Sequence, residues 1–206
     1  MPLAQGTVGQ QSNAGGVLPI QGARQLPQGD MAISELHARY FEQGRYGNAF
    51  SAANQAAQAT SVALATTYTG LCLYNPVGSG VILVPTKVKY AQTVAQAALG
   101  HLGLIAGFSN TGGVTAQTTK LVNQSTQIGA SGVGKGIALS AATIVTPTWL
   151  FALSDTPLAL AAPVTLLTDL EGVFQILPGG FIAIGTLTAV TGFGSIAWEE
   201  VPITSL

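Results

Sequence analysis

From residue 62 onward, apolar and polar residues alternate in short bursts separated by turn residues. The run 66–74 is rich in Thr and Tyr and ends at Asn75-Pro76. Residues 81–90 resume with Val81-Ile82-Leu83-Val84, then Lys87 and Lys89 alternate with Val88 and Tyr90, the pattern of a strand with one wet face. The NPVGSG segment between them reads as the turn of a hairpin. Further strands are expected at 102–108, 114–122, 137–145, 149–154, 164–167, 173–177, 181–187 and 195–201, with 93–99 left open. Pro147, the SDTP at 154–157, Pro163, Glu171-Gly172, Pro178-Gly179-Gly180 and Gly192-Phe193-Gly194 punctuate them. About eight or nine short strands with no interleaved helical period predict an all-β domain, an antiparallel jelly-roll-like β-sandwich over 61–206.

Residues 1–60 have a different texture. The first thirty or so are rich in Gln, Gly and Pro, carry isolated apolar residues and have no period. They predict an extended N-terminal arm that docks on a partner through Leu3, Val8, Val17, Leu18, Ile20 and Leu26. A short helix is expected from Ser34, a suitable N-cap, to Gln43, ended by Gly44. Tyr40, Phe41, Tyr46 and Phe50 cluster before the β domain and are expected to anchor the arm to its partner. Residues 52–59 suit either a poorly amphipathic helix or an extended linker.

Composition sharpens this picture. Charged residues make up 7% of the 206-residue chain, against roughly 25% in an average soluble domain. None lies between Arg45 and Lys87, nor between Lys135 and Asp155. Charge is depleted at the cores of protein interfaces, so the chain fits a subunit of an assembly better than a solitary enzyme. A net charge of −1 gives no footprint for nucleic acid. No run reads as a membrane span, because Pro147 and several Thr interrupt the uncharged run 137–153. No positively charged leader precedes Arg24, so synthesis in a cytoplasm without export is expected.

Candidate chemistry is sparse. Gly129 to Gly136 matches a phosphate-binding loop up to its last position, where Gly136 replaces the Ser or Thr that would ligate magnesium. A Gly-rich loop between strands is the better explanation. His37 and His101 lack metal-ligand neighbours. Glu199 and Glu200 are adjacent and should point to opposite faces of a strand. Asp169 and Glu171 suit a turn, as solvated or capping groups. Trp149 and Trp198 fall in strands, where core is the plainest role. Cys72, the one cysteine, reads as a small buried hydrophobe. No catalytic residue, cofactor or metal site is expected.

Three segments carry a resemblance. Residues 70–84 (GLCLYNPVGSGVILV), 178–184 (PGGFIAI) and 194–202 (GSIAWEEVP) resemble strands of tailed-bacteriophage virion structural proteins of the head decoration, or cement, type. The resemblance implies a homotrimeric β-sandwich on the virion capsid surface with the major capsid protein as partner. It implies no catalytic residues. Tail- or head-fibre modules that recognise host surface carbohydrate are the alternative.

Overall fold

The computed structural model describes residues 40–94, 100–129, 132–156 and 165–203. The arm residues Leu3, Val8, Val17, Leu18, Ile20 and Leu26, the N-cap Ser34 and His37 lie outside them. A one-turn helix α1 (Phe41–Arg45) opens the described chain, and Gly47, at φ 73°, turns it into the first strand. Twelve strands follow: β1 (Ala49–Ala53), β2 (Gln58–Ala59), β3 (Thr67–Tyr74), β4 (Val81–Gln92), β5 (Gly100–Phe108), β6 (Val114–Lys120), β7 (Gln124–Ser125), β8 (Ile137–Ile144), β9 (Thr148–Thr156), β10 (Thr165–Asp169), β11 (Gly180–Thr186) and β12 (Thr191–Pro202).

They form two six-stranded sheets. The first runs β10-β4-β12-β1-β7, with β2 paired to β12; the second runs β6-β8-β3-β11-β5-β9. Setting aside β2, β7 and the β6–β8 pair leaves eight strands in the orders β1-β12-β4-β10 and β3-β11-β5-β9. Numbered afresh, these are 1-8-3-6 and 2-7-4-5. Strand 1 neighbours 8, 2 neighbours 7, 3 neighbours 6 and 4 neighbours 5, the pairing of a rolled two-stranded ribbon. The expected antiparallel jelly-roll-like sandwich is therefore present.

Two local expectations change. The strands flanking NPVGSG are not a hairpin, since β3 pairs with β8 and β11 while β4 pairs with β10 and β12. The six-residue turn instead carries the chain across the roughly 10 Å between sheets. Fully buried Asn75 holds this corner, its amide donating to the carbonyls of Val81 and Ile176, both at 2.8 Å. Residues 173–177 make no strand. Positive φ at Glu171 and Gly172 and Pro178 downstream leave one bridge, Leu83 to Ile176.

The boundary expected at residue 60 also moves. β1 pairs with β12 over Ala49↔Glu199 to Ala53↔Ser195, so the sandwich begins before Ala49, and residues 52–59 are neither helix nor free linker. Ala and Asn residues there hid a strand whose buried side chains are only Ala49, Phe50 and Ala52. Phe50 is 5% exposed and stacks on Trp198, ring centroids 6.0 Å apart. It is a core residue and not a partner anchor.

Between the sheets lies the main core, built on Leu73, Leu83, Val88, Leu102, Ile182, Ile184 and Trp198. A second core of Tyr68, Cys72, Ile105, Leu139 and Phe181 occupies the far side of the second sheet. Geometry requires it. Four strand spacings of about 4.8 Å would separate β8 from β9 by ~19 Å in a flat sheet. The link from Ile144 to Thr148 spans at most about 15 Å, four Cα steps. The sheet must curl, and its concave side encloses apolar residues. That is why every residue of β11 is buried, on both faces. A Cβ at Gly103 or Gly185 would meet the Trp149 ring at 3.0 and 3.3 Å, so glycine there makes room for that indole.

Burial in this second core raises the pKa of the Tyr68 hydroxyl well above its usual value and pushes the Cys72 thiol up as well. Tyr90, in the main core, is pushed up to about 12, also by burial. Tyrosine in an unfolded chain ionises near pH ~10. Above that pH the unfolded chain loses protons that the folded chain keeps, so stability is full below pH ~10 and falls as pH rises toward about 12. In an alkaline titration, the tyrosinate absorbance of Tyr68 and Tyr90 should appear together with loss of circular dichroism. Ionisation of all five tyrosines at pH ~10 in a chain that stays folded would contradict this.

Candidate interaction surface

The Gly-rich loop between β7 and β8 already holds an anion, the chain's own carboxylate. The backbone N–H groups of Lys135 and Gly136 donate to Glu200 Oε2 and Oε1, both at 2.8 Å, and Trp198 Nε1 donates to Oε1 at 3.2 Å. Strand alternation on β12 places Glu200 inward, 7% exposed, and leaves Glu199 partly exposed, as expected for neighbouring positions. Gly134 and Gly136 serve close packing. A Cβ on Gly134 would lie 2.6 Å from Glu200 Oε1, and one on Gly136 would lie 2.9 Å from Leu83 Cδ1. The resemblance to a phosphate loop thus comes from the same backbone chemistry, satisfied internally.

The other expected polar groups fall into structural roles. Asp169 Oδ1 accepts the backbone N–H of Glu171 at 3.2 Å, closing the turn after β10. Its other oxygen lies 4.0 Å from Lys87 Nζ. Tyr40 joins them, its hydroxyl donating to Asp169 Oδ1 at 3.4 Å and its ring 5.8 Å from Lys87 Nζ. Tyr40 is therefore engaged by its own sandwich. Phe41 and Tyr46 remain exposed. His101 sits edge-on to Trp149, ring centroids 6.0 Å apart. Among the described residues no three His, Cys, Asp or Glu converge as a metal site, and no helix is long and apolar enough to cross a membrane.

What stands out is an apolar flank. A groove of about 430 Å³ opens where segment 173–177 meets the ends of β5 and β9, and exposed Phe108, Leu150, Val173 and Leu177 line it. Phe151 flanks it, packed edge-on against Phe174 with centroids 5.7 Å apart. β9 ends its sheet, as β10 ends the other, and β10 presents Leu167 at 64% exposure. The opposite sheet ends differ. β6 is Thr-rich and carries Lys120, and β7 has two residues. Those are ordinary ways of blunting an edge; β9 carries no charge from Thr148 to Ser154, and its register against β5 shifts at Leu150 and Leu153. This surface was not among the residues expected to bind a partner. Its signal was present: Trp149-Leu150-Phe151 breaks the alternation that a strand with one wet face requires.

Set beside known proteins, the chain matches no family model and no curated protein.

Proposed function

We propose that this protein is a non-catalytic structural component of a bacteriophage virion, a decoration protein that binds and stabilises the capsid. The observation that carries this proposal is the gathering of exposed apolar side chains on one flank of a nearly uncharged sandwich. Such a surface calls for a protein partner rather than a small polar substrate. The decoration-type strands at 70–84, 178–184 and 194–202 supply the class of assembly. In this proposal residues 1–39 lie across major capsid protein subunits and tie them together. Binding only the assembled shell stabilises it by mass action, and several arms on one oligomer add avidity.

Deletion of residues 1–30 tests this. The truncated chain should keep its circular dichroism and thermal transition yet fail to co-sediment with undecorated shells. A truncated chain that still decorates shells overturns the role of the arm. Copy number, by quantitative mass spectrometry of virions, tests the location. Copies in simple ratio to the major capsid protein fit decoration, whereas a handful per particle would place the protein at a tail or fibre.

A further inference from the structure

The apolar flank is formed by β9, segment 173–177 and the end of β5. We infer that it is the contact through which a second copy of this chain binds. This rests on reading the flank as a protein contact, and not on the virion assignment.

Three observations select a second copy. The first is area. Phe108, Leu150, Phe151, Val173 and Leu177 are each about half exposed or more. At ~150–250 Å² for a whole large side chain these five present on the order of 500 Å², before the half-buried side chains and backbone edge of β9 around them are added. A stable interface buries about 800 Å² per partner, so the flank is the right size for one.

The second is charge. No charged residue lies between Lys135 and Asp155, and among the groove-lining residues there is none. A strongly charged partner would lose its hydration against this face with nothing to pair with. A partner that is itself almost uncharged on one face loses nothing, and this chain is such a partner.

The third is availability. An edge strand that exposes three successive large apolar residues, Trp149, Leu150 and Phe151, invites indiscriminate association. A partner met only on a finished particle would leave it uncovered from synthesis until assembly. A second copy is present from the start.

The full chain, purified alone and free of particles, provides the test. Light scattering coupled to size exclusion should give a mass above that of one chain at micromolar concentration. Val173→Lys should weaken self-association at least tenfold while leaving the thermal transition in place, because Val173 is 74% exposed on a loop. Leu150→Lys should do the same. Ile128→Lys should not, since Ile128 is 90% exposed but sits in the loop after β7, away from the flank. A second readout avoids lysine altogether. Leu177→Cys should give covalently joined chains with a short bis-maleimide, since native Cys72 is buried and out of reach. A monomeric wild-type chain, self-association unchanged in Val173→Lys, or a Leu177→Cys chain that stays single would each overturn the inference. Self-association that survives while particle binding is lost on arm deletion would uphold both proposals. A full chain that stays monomeric, yet still loses particle binding on arm deletion, would remove this one alone.

Discussion

Replacing Glu200 with alanine should destabilise the fold by about 3–5 kcal/mol, because the change strands three donors that have no other partner nearby. The carboxylate is 7% exposed and receives the N–H groups of Lys135 and Gly136 and the indole of Trp198. Unpaired buried donors lose about 1–3 kcal/mol each, less where water enters the space left behind. In a chain of this length the thermal midpoint should drop by roughly 10 °C. Glu200→Gln separates the anion from its volume. The amide keeps one acceptor and turns an NH₂ toward a backbone donor, so about half of the loss should remain. Thermal or denaturant unfolding of the three proteins decides it. A Glu200→Gln protein as stable as wild type would mean that shape alone holds the loop. Because Trp198 shares this network, Trp198 and Glu200 substitutions should not add.

Phe181→Ala should be comparably severe, at about 3–5 kcal/mol, although Phe181 lies on the side of its sheet that faces away from the other sheet. In an open sandwich that face would be wet and the loss small. Here Phe181 is 2% exposed, and Gly107 and Gly113 are close enough that a Cβ on either would meet its ring at 2.7 or 2.8 Å. The cavity could not close, because backbone carbonyls as well as side chains wall it. Denaturant unfolding measures the effect. A loss under ~1 kcal/mol would mean that the concave side of the second sheet is not a packed core.

Strand positions were legible wherever alternation or turn residues marked them. Lys87 and Lys89 point outward and Val88 and Tyr90 inward, as their pattern requires. Cys72 and Trp198 are buried as their surroundings suggested. Pairing partners were less legible. Nothing in Asn75–Gly80 distinguishes a hairpin turn from a corner between sheets, because the same residues permit both. β1 leaves no period in the sequence because alanine carries too little hydrophobic signal to set one, and Phe50 beside it then reads as part of an arm. The nest around Glu200 depends on a separation of more than sixty residues, which no local pattern encodes. The apolar flank could have been found from the sequence, since three large apolar residues in succession, on a strand, leave at least one facing outward.

The placement of β12 has a consequence for how the molecule is made. This strand sits in the middle of the first sheet, between β4 and β1, and bonds to β4 along nearly its whole length. Its partner β1 is separated from it by some 140 positions of chain. A nascent polypeptide that has not yet released residues 191–202 therefore lacks the centre of that sheet and has no place to pair β1. Folding must wait until translation has passed β12, and then close long loops at once, the slow regime for chains dominated by distant contacts. Throughout that interval β9, already synthesised and free of charge from Thr148 to Ser154, stands exposed. Yield in a heterologous host should therefore be limited by the speed of chain completion and by chaperone supply more than by the stability of the finished fold.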